Sequence, residues 1–110
     1  LYTSSATLDA STTAYSTTNE SSGTGYTAGG ETVTSVAVSL SGNVAFVDFA
    51  DVSFTSATIS DAAGALLYNS SVSNKAIAVI DFGSTKSVTG GTLTITLPSA
   101  NASNALIRVS

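Results

Sequence analysis

The residues able to do chemistry are few. Asp48, Asp51, Asp61 and Asp81 are the carboxylates set among the apolar segments. Two carboxylates facing each other across a cleft would hydrolyse glycosides, one as acid and one as base or nucleophile. No spacing among these four shows that any two face each other, and their positions suit strand termination and turn capping. The same oxygens suit a hard cation such as Ca²⁺, for which Asp48-x-x-Asp51 is the best-placed pair, without an EF-hand loop or a glycine–aspartate repeat around it. Serine and threonine are abundant nucleophiles, but a hydroxyl nucleophile needs a base. The chain has no His, which leaves Lys75 or Lys86, neither in a recognisable motif. With no Cys and no His, zinc ligation, thiol chemistry and disulfide stapling are excluded. These residues predict no enzyme, no metal site and no cofactor.

Binding motifs are equally sparse. The glycine-rich run from Ser21 to Gly30 lacks the Gly-Lys-Ser/Thr ending of a phosphate loop and opens no helix. Asn-x-Ser sequons stand at Asn19, Asn69 and Asn101, as chance alone supplies at this Ser and Thr content. Lys75, Lys86 and Arg108 are the only bases in a chain of net charge −4, too few for a nucleic-acid footprint. No apolar run approaches the roughly 20 residues that cross a bilayer. The chain opens on Leu1 rather than Met, which fits either a removed initiator or a processed product. Tyr2, Tyr15 and Tyr26, with Leu1, remain as candidate interface anchors, since tyrosine offers large area at low entropy cost. Tyr68 reads rather as packing at the rim of a core.

The elements that must position these residues are strands. The 110 residues suffice for one domain with one modest core. Hydrophobic residues make up 43% and charged residues 9%, against roughly 25% charged in an average domain. Hydroxyls replace the missing charge, with 37 Ser plus Thr. Residues 1–31 are poor in large aliphatics and predict either an extended Ser/Thr/Gly-rich arm or a surface loop tied down by its tyrosines, with at most one short strand. Residues 32–110 predict an all-β, antiparallel β-sandwich or jelly-roll-like domain, from short alternating runs separated by turn signals. Residues 32–40 and 44–49 flank Ser41-Gly42-Asn43 as a hairpin, and a bulge or sheet switch is expected at 48–51. Residues 55–60 are expected as a short strand or the edge of a loop, 61–64 as a turn leading into 65–68, and 75–82 as a strand. That last strand has Ala76-Ile77-Ala78-Val79-Ile80 buried on both faces and ends at Gly83. Gly90-Gly91 reads as a turn before the strict alternation of 92–97, which Pro98 stops. Residues 99–104 connect to a final strand at 105–109.

Two segments carry a resemblance. Residues 1–30, LYTSSATLDASTTAYSTTNESSGTGYTAGG, resemble the opening of small virion structural proteins of tailed bacteriophages. Residues 64–110 resemble the C-terminal half of the same proteins. There a small-residue lead runs into Leu66-Leu67-Tyr68-Asn69, followed by Ala78-Val79-Ile80-Asp81-Phe82-Gly83, Lys86, an alternating strand closed by Pro98, and Ile107-Arg108-Val109. Residues 31–63 match only in β character. The resemblance implies a non-enzymatic virion component. It gives Asp81 a turn-capping role, Gly83 a permissive backbone angle, and Arg108 a carboxylate partner or a neighbouring chain.

The function expected is that of a capsid decoration or cement protein on the virion surface. Its partners would be the major capsid protein and neighbouring copies of itself, as a homo-oligomer or multi-copy component, with no nucleic acid and no membrane. Threonine-faced strands pair readily with other strands, and low charge limits repulsion between crowded copies. The arm would lie along an adjacent subunit and order on binding, so that deleting residues 1–20 would leave a folded core and abolish binding. A tail, neck or fibre component contacting the host is the alternative, although the chain has neither repeat nor coiled-coil lead. A carbohydrate-binding module is a third reading, weakened by the absence of Trp.

Overall fold

The computed structural model describes residues 1–98, 101 and 103–109. Its elements are β1 (Gly23–Thr24), β2 (Ser35–Ser41), β3 (Val44–Phe49), β4 (Val52–Asn69), β5 (Lys75–Ile95) and β6 (Ile107–Val109). The chain is all-β, with no helix among the described residues. One antiparallel sheet has the order β1-β4-β5 and the other β2-β3-β6. The contacts divide the chain into two compact units, one of Leu1–Gly30 with Phe54–Leu93 and one of Glu31–Ser53 with Thr94–Ser110.

The hairpin forms where the turn chemistry placed it. Gly42 and Asn43 join β2 to β3, closing on the pair Ser41 and Val44. The irregularity expected at 48–51 resolves into two features. A bulge lies on β2 between Ser35 and Ala37, opposite Phe49 and Asp48. After Phe49 the chain leaves that sheet and re-enters strand at Val52 in the other one. The Ala50 N–H donates to the Thr34 carbonyl at 3.0 Å as it leaves.

The expected turn at 61–64 is absent, and 52–69 runs as one strand. Small residues there serve close packing, not reversal. Ala57, Ala62 and Ala65 are buried, and a Cβ on Gly64 would stand 2.8 Å from the Ile80 carbonyl oxygen. Gly83 does not end its strand either. It takes φ 76° inside β5, and its N–H donates to the Asp81 carboxylate at 2.8 Å. The backbone therefore bends and continues. Gly90 behaves alike, at φ 61°, with its N–H donating to the Thr58 hydroxyl at 3.0 Å. The Ala76–Ile80 run is not buried on both faces, since Ile77 is half exposed. The polar connection at 69–74 is a turn held by the Asn69 side chain, which accepts the Ser71 N–H at 2.9 Å. The final strand is shorter than expected, beginning at Ile107. The expected connection at 99–104 lies partly outside the described residues.

Residues 1–30 are no free arm. They pack within the first unit, whose buried side chains are Leu1, Tyr2, Ser21, Phe54, Ala57, Ile59, Ala62 and Ala65. Main-chain bonds seat Tyr2 on β4: its N–H donates to the Gly64 carbonyl at 2.9 Å, and its carbonyl accepts the Ala63 N–H at 2.8 Å. A segment poor in aliphatics reads as an arm. Here two large side chains, Leu1 and Tyr2, join it to the core built on β4.

Candidate functional site

Glu20 is the hub of the first unit. One carboxylate oxygen accepts the Tyr26 hydroxyl at 2.7 Å and the Gly29 N–H at 2.7 Å. The other accepts the Tyr15 hydroxyl at 2.8 Å. The Leu1 nitrogen in turn donates to the Tyr26 hydroxyl at 2.8 Å. Tyr68 stacks on Tyr15 with ring centroids 4.8 Å apart and donates its hydroxyl to the Gly29 carbonyl at 2.8 Å. Tyr26 packs tilted against Phe54 at 5.3 Å. Tyr2 exchanges hydrogen bonds with the Ser16 main chain, donating to its carbonyl and accepting its N–H. All four tyrosines thus hold the loops at 15–29 against β4.

The electrostatics follow from these contacts. Burial works against the Glu20 charge, but the bonds from Gly29, Tyr26 and Tyr15 outweigh it and hold its pKa below the ordinary carboxylate value. The hydrogen bond to Glu20, then partial burial, push Tyr15 up to about 12. Burial, then the same carboxylate, push Tyr26 above the ordinary phenol range. A carboxylate that keeps its charge, facing phenols that keep their protons, is a clamp.

The aspartates are ties as well. Asp61 accepts the Ser4 N–H at 3.2 Å and the Ser4 hydroxyl at 3.1 Å, Asp51 accepts the Leu97 N–H at 2.8 Å, and Asp81 accepts Gly83 as above. Among the described residues no three ligating side chains cluster. An open cleft of about 280 Å³ in the first unit, lined by Ser4, Leu8, Ile80 and Ser84 among others, holds one carboxylate, that of Asp81. The sequon asparagines also do local work. Asn19 donates its amide to the Ser5 carbonyl at 3.1 Å, and Asn101 accepts the Ser103 and Asn104 N–H groups at 2.8 Å.

The second unit carries a different kind of surface. In the β2-β3-β6 register Leu40, Ala45 and Val109 form one row, and Val38, Val47 and Ile107 the next. Residues directly opposite one another share a face, as do alternate residues along a strand, so all six lie on one side of the sheet. All six positions are aliphatic, and Val38, Leu40 and Val109 are 73%, 72% and 67% exposed. The reverse side carries Ser39, Phe46, Asp48 and the Arg108 position. Scattered exposed aliphatics are ordinary, whereas a contiguous exposed patch marks an interaction surface.

The anchors expected from the sequence therefore separate. Leu1 and Tyr2 are buried in the first unit, with 8% and 4% exposure, and cannot serve as surface anchors. Tyr15 and Tyr26 are joined by Glu20 in the same unit. Arg108 pairs through its backbone with Phe46, and its side chain lies outside the described part of the structure. Two features escaped the sequence. Glu20 is the one carboxylate between Tyr15 and Tyr26, a spacing that could have suggested a shared partner. The Val38 and Leu40 alternation was legible, but alternation alone does not say which face is covered.

Comparison with protein-family models, curated proteins and solved structures finds no match to this chain.

Proposed function

We propose that this chain is a non-enzymatic structural protein of a tailed-bacteriophage virion, a decoration or cement protein that binds the outer capsid and bridges neighbouring major capsid subunits. The observation that carries the reading is the exposed aliphatic face of β2-β3-β6, uncharged across its six positions. Such a face gains free energy when it leaves water and meets no charge penalty on doing so. The resemblance of residues 1–30 and 64–110 to phage virion proteins supplies the kind of assembly. Each contact is modest, and many copies on repeating shell subunits compound it, resisting the outward pressure of packaged genome. The N-terminal segment contributes by holding the first unit together, not by reaching a neighbour.

Co-sedimentation with purified shells lacking this protein tests the reading. The intact chain should pellet with shells. Val38→Ser with Leu40→Ser should stay in the supernatant while keeping its β-sheet circular dichroism. Equal pelleting by both would remove the aliphatic face from the mechanism, and no pelleting by the intact chain would remove the capsid.

A further inference from the structure

The second sheet ends on β2, and among the described residues no strand pairs with its outer edge. An open edge presents a row of main-chain N–H and C=O groups to any strand that can reach it. Edges are ordinarily protected by charge, proline or short length. The opposite edge, β6, is three residues long. β2 has seven residues, Ser-Val-Ala-Val-Ser-Leu-Ser, with neither charge nor proline. Two copies of β2 placed side by side therefore bring no like charges into register, although the whole chain carries −4.

Area points the same way. Strands of seven, six and three residues, at about 3.3 Å per residue and about 4.8 Å apart, give the aliphatic face a projected area of roughly 250 Å². A partner in a standard interface contributes about 800 Å². One copy's face falls well short. Two faces joined edge to edge give a continuous aliphatic surface of roughly 500 Å², much nearer that scale. We infer that two copies of this chain associate antiparallel through β2 about a two-fold axis, forming one six-stranded sheet of order β6-β3-β2-β2-β3-β6. Its continuous aliphatic face is the docking surface, a second step that rests on the capsid-binding reading. Two-fold pairing is self-complementary and closed, so it ends at the dimer, and the short β6 edges cap the sheet.

The chain contains no cysteine, which makes the contact directly readable. Opposed Cα atoms in an antiparallel pair lie about 4.5–5.5 Å apart, within the roughly 4.4–6.8 Å that a disulfide spans. A residue on the two-fold axis faces its own copy. Single variants Ala37→Cys, Val38→Cys and Ser39→Cys are oxidised in solution, with Ser70→Cys, on the turn between β4 and β5, as control. Light scattering gives the mass of the intact chain over a concentration series. The expected result is a dimer that dissociates on dilution, with covalent dimer several-fold more abundant at one of the β2 positions than at residue 70. Ala37→Lys with Ser39→Lys should raise the dimer dissociation constant tenfold or more. A chain that stays monomeric at millimolar concentration overturns the inference, as does a dimer that cross-links no better along β2 than at residue 70. No shell is present in either assay, so a monomer overturns the β2 pairing alone and leaves the capsid reading to its own test.

Discussion

Glu20 fixes the shape of its own loop, drawing Tyr15, Tyr26 and Gly29, all within nine residues of it in sequence, to one point. Three donors converge on its carboxylate, so removing it strands all three. Glu20→Ala should cost about 2 kcal/mol, given that hydrogen bonds to charged groups contribute roughly 1.5–3 kcal/mol each and overlap when they share an acceptor. Urea unfolding of the intact chain measures the loss. The pH dependence has two signs. The Glu20 pKa in the folded chain lies below its ordinary 4.5, so its contribution is present above that value and fades as pH falls through the folded one. The Tyr15 pKa is raised from 10.0 to about 12, so its contribution is complete below pH 10 and is lost as pH rises through 12. Phenolate absorbance should accordingly show Tyr15 titrating late, and Tyr15→Phe should remove that late phase. A Tyr15 phase at the ordinary value would contradict the clamp.

At the scale of the elements, small residues carry two opposite messages that only tertiary context separates. Gly42 marks a true hairpin turn, while Gly64 and Gly83 lie inside continuous strands. Gly64→Ala would drive a methyl into the Ile80 carbonyl and should destabilise by about 1–3 kcal/mol, as overpacking does. At Gly83 a Cβ would meet nothing within 4 Å, but φ is 76°. Gly83→Ala should therefore cost about 1–2 kcal/mol through the left-handed backbone alone. Thermal unfolding of the two variants checks both values, and a neutral Gly64→Ala would mean that β4 and β5 are not in close register there. These glycines explain how far the fold was legible. The all-β class, the hairpin at 42–43 and the polar turn at 69–74 follow from alternation and turn chemistry, which are local. The continuity of β4 depends on a partner strand seated against Gly64, and that of β5 on a left-handed residue at Gly83 that does not reverse the chain, and no local pattern encodes either. The clamp was half legible: its tyrosines stood out by type, but their common partner is fixed by the path of the loops.

At the scale of the whole molecule, burial and exposure have exchanged the roles that composition suggested. The segment that reads as an arm or a tyrosine-tied loop supplies Leu1 and Tyr2 to a core, and a plain alternating strand, β2, presents the open surface. Deleting residues 1–20 should therefore abolish the cooperative unfolding of the first unit, read by the loss of its calorimetric transition. A truncated chain that still melts cooperatively with unchanged enthalpy would return the segment to the status of an arm. The central claim is that this chain clads a shell. Copy number per purified particle, counted by quantitative mass spectrometry against the major capsid protein, tests it most directly. A number comparable to that of the capsid subunit is expected, because only the shell offers so many equivalent sites. A few copies per particle, or none, would contradict it.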